Sequence, residues 1–224
     1  MPKIDDGAKD ISTSLQMLRM EQEQAVDCVI ATPHFYLRHE SLQQFLERRN
    51  AAFAALQKDA PVGSPRVILG AEVAFTKSLL YEDLSKLCIA GTNTLLLELP
   101  YEKMDLSLMR AIQALIQKNT VTIVLAHIER FRPIWKKSEF EEIMSLPVKK
   151  QINAGSLLHG NPFQRHWLLK MIADEEVHFI GTDAHNCESR PVNFKAAMDY
   201  LDKKGLSEQR KEMMHQAQKL LFHA

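Results

Sequence analysis

The sequence predicts an α/β protein whose parallel strands form a sheet or a barrel. Six short apolar segments alternate along the chain with stretches of helical periodicity, the pattern of successive right-handed βα units with parallel strands. The last apolar segment, Val177–Ile180, predicts a buried strand that leads directly into Asp183 and His185. Because the C-terminal ends of parallel strands lie together on one face, polar residues at these ends predict a shared site.

The strands are predicted from short apolar runs rich in branched residues, bounded by turns or polar residues. In chain order they are Val26–Thr32, Val67–Phe75, Thr94–Leu99, Val121–His127, Lys150–Asn153 and Val177–Thr182. No strand is predicted before the first helix, because Ile4–Gly7 has the composition of a turn. The opening strand of a barrel of this type would therefore be absent.

The helices are predicted from apolar residues at helical spacing, such as Leu42, Phe45, Leu46 and Phe53. The first has roughly three to four turns and is capped by Asp10 or Ser12. The others are His39–Lys58, a weak helix near Leu79–Lys86, Leu106–Lys118, Glu139–Leu146, Gln164–Glu175, Asn193–Lys204 and Ser207–Phe222.

Four other predicted strands end in residues that can bind a metal or transfer protons. These residues are His34, Glu72, Glu98 and His127. Each also has a structural interpretation: His34 as a loop histidine, and Glu98 as a partner of a nearby arginine. Asp183 could likewise cap the next helix. The shared site is favoured because five strand ends converge on one face.

Composition predicts one soluble domain, residues 1–224, in the reducing cytoplasm. Apolar residues make up 46% of the chain, and 28 Lys and Arg balance 28 Asp and Glu. This balance disfavours nucleic acid and anionic membranes as partners. No apolar segment is long enough to span a bilayer. The three cysteines are odd in number and contain no C-x-x-C pair, so neither a disulfide framework nor a structural zinc site is indicated.

Seven motifs in order give the chain a resemblance to a known family. They are Ile4–Ala8, Ala31–His34, Gly70–Glu72, Leu97–Pro100, Ala126–Arg130, Gln151–Ser156, and Thr182–His185 with Arg190-Pro191. Together they resemble the bacterial capsule and exopolysaccharide protein-tyrosine phosphatases of the polymerase-and-histidinol-phosphatase (PHP) superfamily. The resemblance covers nearly the whole chain.

The resemblance implies a distorted (β/α)7 TIM-like barrel of the PHP type with two or three divalent metals at the strand C-termini. Manganese is the usual metal, while iron, zinc and magnesium are alternatives. The implied ligands are Asp6, His34, Glu72, Glu98, His127, Asp183 and His185. Arg130 and Arg190 would hold the phosphate. The catalytic residues that the resemblance implies are Asp6, His34, Arg130 and Arg190. Glu72 is expected to bridge two metals.

One departure from the family pattern concerns the first strand. Family members open with a strand that carries His-x-His a few residues before the Asp-Asp-Gly turn, and here Met1–Lys3 stands in that position. If the chain is as printed, we expect weaker binding of the metal held by those two imidazoles, and reduced hydrolysis.

The resemblance implies hydrolysis of phosphotyrosine on a bacterial tyrosine kinase tail, and homo-oligomers are left open. A small-molecule phosphoesterase acting on sugar or histidinol phosphate, a deacetylase, and a non-catalytic phosphotyrosine-binding scaffold remain alternatives. Thiol catalysis is disfavoured because no cysteine has an arginine six residues later. Motifs of serine hydrolases and nucleotide-binding loops are absent as well. For Glu129 a surface ion pair is predicted as readily as any functional role, and Asn153 is predicted to support the site or to form a turn.

Overall fold

Short parallel strands form a curled sheet that positions the candidate site; the computed structural model describes residues 1–118 and 120–222. The strands are β1 (Cys28–Ala31), β2 (His34–Phe35), β3 (Arg66–Leu69), β4 (Glu72–Ala74), β5 (Thr94–Glu98), β6 (Thr122–Leu125), β7 (Lys149–Asn153) and β8 (Phe179–Gly181). The strand order in the six-stranded sheet is β2-β4-β5-β6-β7-β8, and β1 pairs with β3 in a second, two-stranded sheet. The predicted α/β class with a parallel sheet is confirmed, while the distorted (β/α)7 barrel without its first strand stays a prediction.

Helices separate most of the strands, as the periodicity predicts. They are α1 (Ile11–Glu23), α2 (Leu42–Asp59), α3 (Leu106–Lys118), α4 (Lys137–Met144), α5 (Ala154–His159), α6 (Pro162–Ala173), α7 (Phe194–Lys203) and α8 (Ser207–Phe222). Asp10 caps α1 by accepting a hydrogen bond from the backbone N–H of Thr13. In the part of the chain that is described, none of the helices combines the length and apolarity required to cross a membrane.

Several predicted boundaries were wrong for local reasons. The predicted strand Val67–Phe75 is divided into β3 and β4, with Gly70 between them. His34 does not lie in a loop but begins the short strand β2. The weak helix expected near Leu79–Lys86 is replaced by the 3-10 helices Lys77–Tyr81 and Leu84–Leu87, each with its own capping side chain.

The core fills the space between the sheet and its helices. Phe35 of β2 and Phe45 of α2 are both fully buried, with their ring centroids 4.9 Å apart. Helix α3 presents Ile112 and Leu115 to the same core. Since successive strand residues point to opposite faces, burial of Phe35 turns its neighbour His34 towards the site.

The sheet is open between β1 and β8. Within the described residues, β1 pairs only with β3 and β8 only with β7. A cavity of about 610 Å³ is lined by both strands and by residues of α1 and α8, and it also reaches the candidate site residues His34 and Asp183. The described chain is therefore a curled half-barrel in which β1 and β8 border one cavity.

This cavity contains a buried carboxylate, Glu21 of α1. Burial raises the pKa of Glu21 to about 7. Because the folded chain binds this proton more tightly than the unfolded chain, the stabilising contribution is complete below the unfolded pKa and is lost as pH rises through 7.

We expect Glu21→Gln to stabilise the protein at about pH 8, by up to about 3 kcal/mol, and to have little effect at about pH 4. Thermal unfolding measured across this pH range checks the prediction. Glu23→Gln, on the same helix but exposed, serves as the matched control. An equal effect of both substitutions at every pH would contradict the assigned role of burial.

Candidate metal and phosphate site

The strand register places His34, Glu72 and Glu98 side by side. His34 of β2 pairs with Glu72 of β4, and Glu98 of β5 lies opposite Ala74, two residues further along β4. Residues two apart on a strand share a face, so Glu72 and Glu98 both point to the side of His34. The His34 Nε2 atom lies 3.8 Å from Glu72 Oε1.

His127 follows β6 and completes this carboxylate cluster. Its Nε2 atom donates a hydrogen bond to Glu72 Oε1 at 2.9 Å and lies 3.3 Å from Glu98 Oε1. Its backbone has φ 33° and ψ 54°, in the left-handed region. Asp183, after β8, also has a positive φ of 52°. Two candidate ligands therefore adopt backbone conformations that most side chains avoid.

Charge pairing controls protonation within the cluster. Burial alone would lower the pKa of His127, but hydrogen bonds to Glu72 and Glu98 outweigh burial and raise it to about 9. Burial alone would raise the pKa of Glu98, but its hydrogen bond with His127 and nearby positive charges lower it. The imidazolium thus balances the charge of neighbouring carboxylates, and a cation bound here would take over that task.

Asp6 and His185 form the other half of the site. His185 Nε2 lies 3.4 Å from Asp6 Oδ1, and His34 Nδ1 lies 3.6 Å from the same oxygen. His185 Nδ1 lies 2.9 Å from the backbone oxygen of Asp183, which fixes the orientation of the ring. His34 therefore stands between two groups of potential ligands.

Both candidate phosphate-binding arginines converge on Asp183. The Nη2 atoms of Arg130 and Arg190 donate hydrogen bonds to Asp183 Oδ2 at 2.8 Å and 3.0 Å. Arg190 Nη1 donates to Asp6 Oδ2 at 3.3 Å, and Arg130 Nη1 lies 3.9 Å from Glu98 Oε1. Both side chains remain more than one third exposed, so their guanidinium groups are accessible to an anion.

Hydrogen bonds of two side-chain amides, Gln151 and Asn153, support the site residues. Gln151 Oε1 accepts a hydrogen bond from the backbone N–H of His127 at 2.6 Å, and Gln151 Nε2 donates to Asn153 Oδ1 at 3.0 Å. Asn153 Nδ2 in turn donates to Asp183 Oδ2 at 2.9 Å. A Cβ atom on Gly181 would approach Gln151 Nε2 to 2.5 Å. Glycine at this position therefore makes room for the amide that supports His127.

The interpretation of Glu129 as part of a surface ion pair was wrong. Glu129 is 1% exposed, and its Oε1 atom accepts hydrogen bonds from the Asn153 backbone N–H and from Ser156 Oγ. Burial raises its pKa, although these hydrogen bonds partly oppose the change. The 3-10 helix Ile128–Arg130 turns Glu129 inward and Arg130 towards the site.

Asp5 was missed by the sequence reasoning. Its Oδ2 atom accepts a hydrogen bond from the His34 backbone N–H at 3.0 Å and lies 3.3 Å from His34 Nδ1. Burial alone would raise the pKa of Asp5, but the hydrogen bonds with His34 and Gly7 lower it strongly. The only signal in the sequence was its position beside Asp6 in the turn Ile4–Gly7.

The donor set fits divalent metal. Asp6, His34 and His185 form one group whose potential ligand atoms lie within 4.8 Å of one another, and His34, Glu72 and Glu98 form a second. Mixed imidazole and carboxylate ligands suit Mn, Fe and Zn better than Ca. His127 Nδ1 is buried without a hydrogen-bond partner in the described structure. All seven predicted ligands and both arginines are thus brought together, while their roles stay predictions.

None of the three cysteines belongs to these groups. All are free, and Cys88 is buried. Burial raises the pKa of the Cys88 thiol to about 11 and also raises that of Cys187. A raised pKa keeps these two thiols protonated and poorly nucleophilic.

Comparison with known protein families assigns the chain. The family described as "Capsular polysaccharide synthesis, CpsB/CapC" matches residues 1–222. The chain belongs to the CpsB/CapC family. The resemblance predicted from the seven motifs is therefore confirmed.

Relatives of this CpsB/CapC chain carry phosphatase names. Tyrosine-protein phosphatase YwqE of Bacillus subtilis is 26% identical over 219 residues, covering 93% of this chain and 83% of YwqE. Tyrosine-protein phosphatase CpsB of Streptococcus pneumoniae is 26% identical over 222 residues, covering 94% of this chain and 90% of CpsB.

A solved structure shares the fold. It is one of the crystal structures of YwqE from Bacillus subtilis and CpsB from Streptococcus pneumoniae, two proteins described as unique metal-dependent tyrosine phosphatases. The TM-score is 0.78 at 24% sequence identity, and the match covers 98% of this chain and 90% of the other. The curled parallel sheet is thus a fold that this CpsB/CapC chain has in common with a solved structure.

Proposed function

We propose that this chain is a metal-dependent phosphoester hydrolase that removes phosphate from phosphotyrosine. The observation that carries this proposal is the composition of the site. Two groups of histidine and carboxylate ligands share His34, and two accessible arginines converge on the adjoining Asp183. This arrangement combines cation binding with anion binding, as hydrolysis of a phosphate ester requires.

The ligands are proposed in two sets. Asp6, His34 and His185 would hold one divalent ion, and His34, Glu72 and Glu98 are suited to a second. His127 and Asp183, which adjoin these groups, would complete them. Mn²⁺ is the proposed metal, with Fe, Zn or Mg as substitutes. When bound, such ions lower the pKa of a coordinated water and neutralise the charge on phosphoryl oxygens.

The arginines are proposed to bind and orient the phosphate. A guanidinium group presents paired N–H donors that match two phosphate oxygens. In this chain both guanidinium groups already make charge-assisted hydrogen bonds to one carboxylate oxygen, Asp183 Oδ2. A phosphate bound near this position would accept hydrogen bonds from guanidinium N–H groups that now donate to Asp183. Together with Asp6 and His34, Arg130 and Arg190 are the proposed catalytic residues.

The family and the names of the relatives support the biological setting. Their names associate tyrosine phosphatase activity with capsular polysaccharide synthesis. We propose a tyrosine kinase of capsule or exopolysaccharide synthesis, phosphorylated on its tail, as the substrate, and the cytoplasm as the compartment. The chain would act as a single PHP-like domain that belongs to the distorted seven-stranded barrel type.

The test is hydrolysis of a phosphotyrosine peptide by protein reconstituted with Mn²⁺. We expect activity that EDTA abolishes and Mn²⁺ restores, and that survives replacement of all three cysteines, because no thiol lies in the ligand groups. The variant with Cys28→Ser, Cys88→Ala and Cys187→Ser should retain its kcat within roughly a factor of three. Loss of activity in this variant with an intact fold would identify a thiol nucleophile and refute the mechanism.

Parallel assays distinguish the alternatives. Cleavage of sugar or histidinol phosphate without cleavage of phosphotyrosine would leave only the metal-dependent phosphoesterase. Binding of the phosphotyrosine peptide without turnover at any metal concentration would support the non-catalytic scaffold. Release of acetate from an acetylated substrate would favour the deacetylase, for which the two arginines offer no explanation.

A further inference from the structure

An aromatic side chain stands at the mouth of the proposed site. A cavity of about 510 Å³ is lined by the candidate residues Asp6, His34, Arg130 and Arg190, and also by Tyr36. Tyr36 is 38% exposed. It belongs to neither of the two groups of candidate metal ligands.

The local backbone explains why Tyr36 faces this cavity. In an extended segment, residues two apart lie on the same side, so Tyr36 follows His34 while Phe35 between them enters the core. The rings of Tyr36 and His34 are parallel within 4°, with centroids 5.6 Å apart. The ring of His39 lies 5.3 Å from that of Tyr36 at an angle of 39°. Two imidazoles therefore fix the orientation of the phenol ring.

We propose that Tyr36 determines specificity for aryl phosphates, with its ring contacting the aromatic ring of a substrate whose phosphate is held by Arg130 and Arg190. The inference rests on the proposed function and adds the basis of substrate selection. Aromatic rings attract one another at centroid distances of about 4.5–7 Å. An alkyl phosphate would make the same contacts through its phosphate but would gain nothing from the ring of Tyr36.

Non-hydrolysable ligands test this contact independently of turnover. We would measure the Kd of phenylphosphonate and of methylphosphonate for the Mn²⁺-loaded protein by calorimetry. Tyr36→Leu should weaken phenylphosphonate binding by roughly 3- to 10-fold and leave methylphosphonate binding unchanged. Tyr36→Phe keeps the ring and should bind both ligands like the unmodified protein. Tyr81→Leu, at an exposed tyrosine outside this cavity, is the matched control.

Two results would overturn the inference. An equal loss for both phosphonates in Tyr36→Leu would mean that the ring acts only by supporting His34. Unchanged binding of phenylphosphonate would mean that the ring makes no contact with the ligand. In either case hydrolysis of the phosphotyrosine peptide by the unmodified protein would leave the proposed function intact.

The converse result is equally informative. A protein that binds phenylphosphonate through Tyr36 but hydrolyses no phosphotyrosine peptide would support the contact and refute the proposed function. For an active enzyme, Tyr36→Leu should raise KM for phenyl phosphate with little change in kcat, because the contact is present in both ground and transition states.

Discussion

Replacement of Glu72 by alanine should remove metal from the protein and reduce hydrolysis by at least about 100-fold. Removing a residue that only hydrogen-bonds to a metal ligand lowers metal affinity or activity by up to about 100-fold, and loss of a direct ligand should cost at least as much. Glu72 is 7% exposed, and its Oε1 atom is close to both His34 and His127. Because this one carboxylate joins the two histidines, its loss should affect more than one ligand contact. Elemental analysis and phosphotyrosine assays on the same preparations measure both effects.

Folding must be separated from metal loss in this experiment. Thermal unfolding in EDTA compares the variants without metal, and Glu72→Gln keeps the shape of the side chain while removing its charge. Glu47→Ala, at an exposed position of α2, should behave like the unmodified protein. Equal metal content in Glu72→Ala and the unmodified protein would show that Glu72 is no ligand.

Replacement of Arg190 by methionine should lower kcat/KM by roughly 100-fold while metal content is retained. The magnitude follows the loss of one donor to a developing negative charge. Arg190 donates to Asp183 and Asp6 in this structure, so its removal takes positive charge away from two proposed metal ligands. Metal binding should not suffer, and the loss should appear only in the handling of phosphate.

Lysine at position 190 tests the geometry of the contact. It preserves the charge but cannot present two parallel N–H donors, so Arg190→Lys should recover only part of the activity. Arg130 shares the acceptor Asp183 Oδ2 with Arg190, so the combined replacement should be non-additive. Arg110→Lys, exposed on α3, is the control. An unchanged kcat/KM in Arg190→Met would exclude Arg190 from phosphate binding.

Local patterns in the sequence were sufficient to predict the convergence of the site residues. His127 and Asp183 each follow an apolar strand, and parallel strands bring such positions to one face. The bounds of α3 and α8 were predicted correctly because their patterns are long and uninterrupted. In contrast, α5 was missed: it has only six residues, includes Gly155, and owes its stability to packing around the fully buried Leu157.

Contacts between distant residues were beyond the reach of the sequence. The pairing of His34 with Glu72 depends on the register of β2 against β4, which neither segment specifies by itself. Glu129 stands beside Arg130 in the sequence and gave no sign of burial, because the turn that directs it inward is set by the left-handed backbone of His127. Gln151 supports His127 across 24 positions of sequence, a contact that follows only from the order of the strands.

The positive φ angles at His127 and Asp183 carry a consequence for protein engineering. An L-residue in this region costs roughly 1–2 kcal/mol that glycine avoids, and asparagine tolerates it better than most residues. At His127, with φ 33°, this gain is small beside the role of the imidazolium, which balances the buried carboxylate of Glu72 and the neighbouring Glu98. Replacement by glycine would leave those carboxylates unpaired, at a cost of roughly 3–5 kcal/mol in metal-free protein. Asp183, with φ 52°, likewise pairs with two guanidinium groups. Selection for heat resistance should therefore retain both side chains, although the backbone at each position favours glycine.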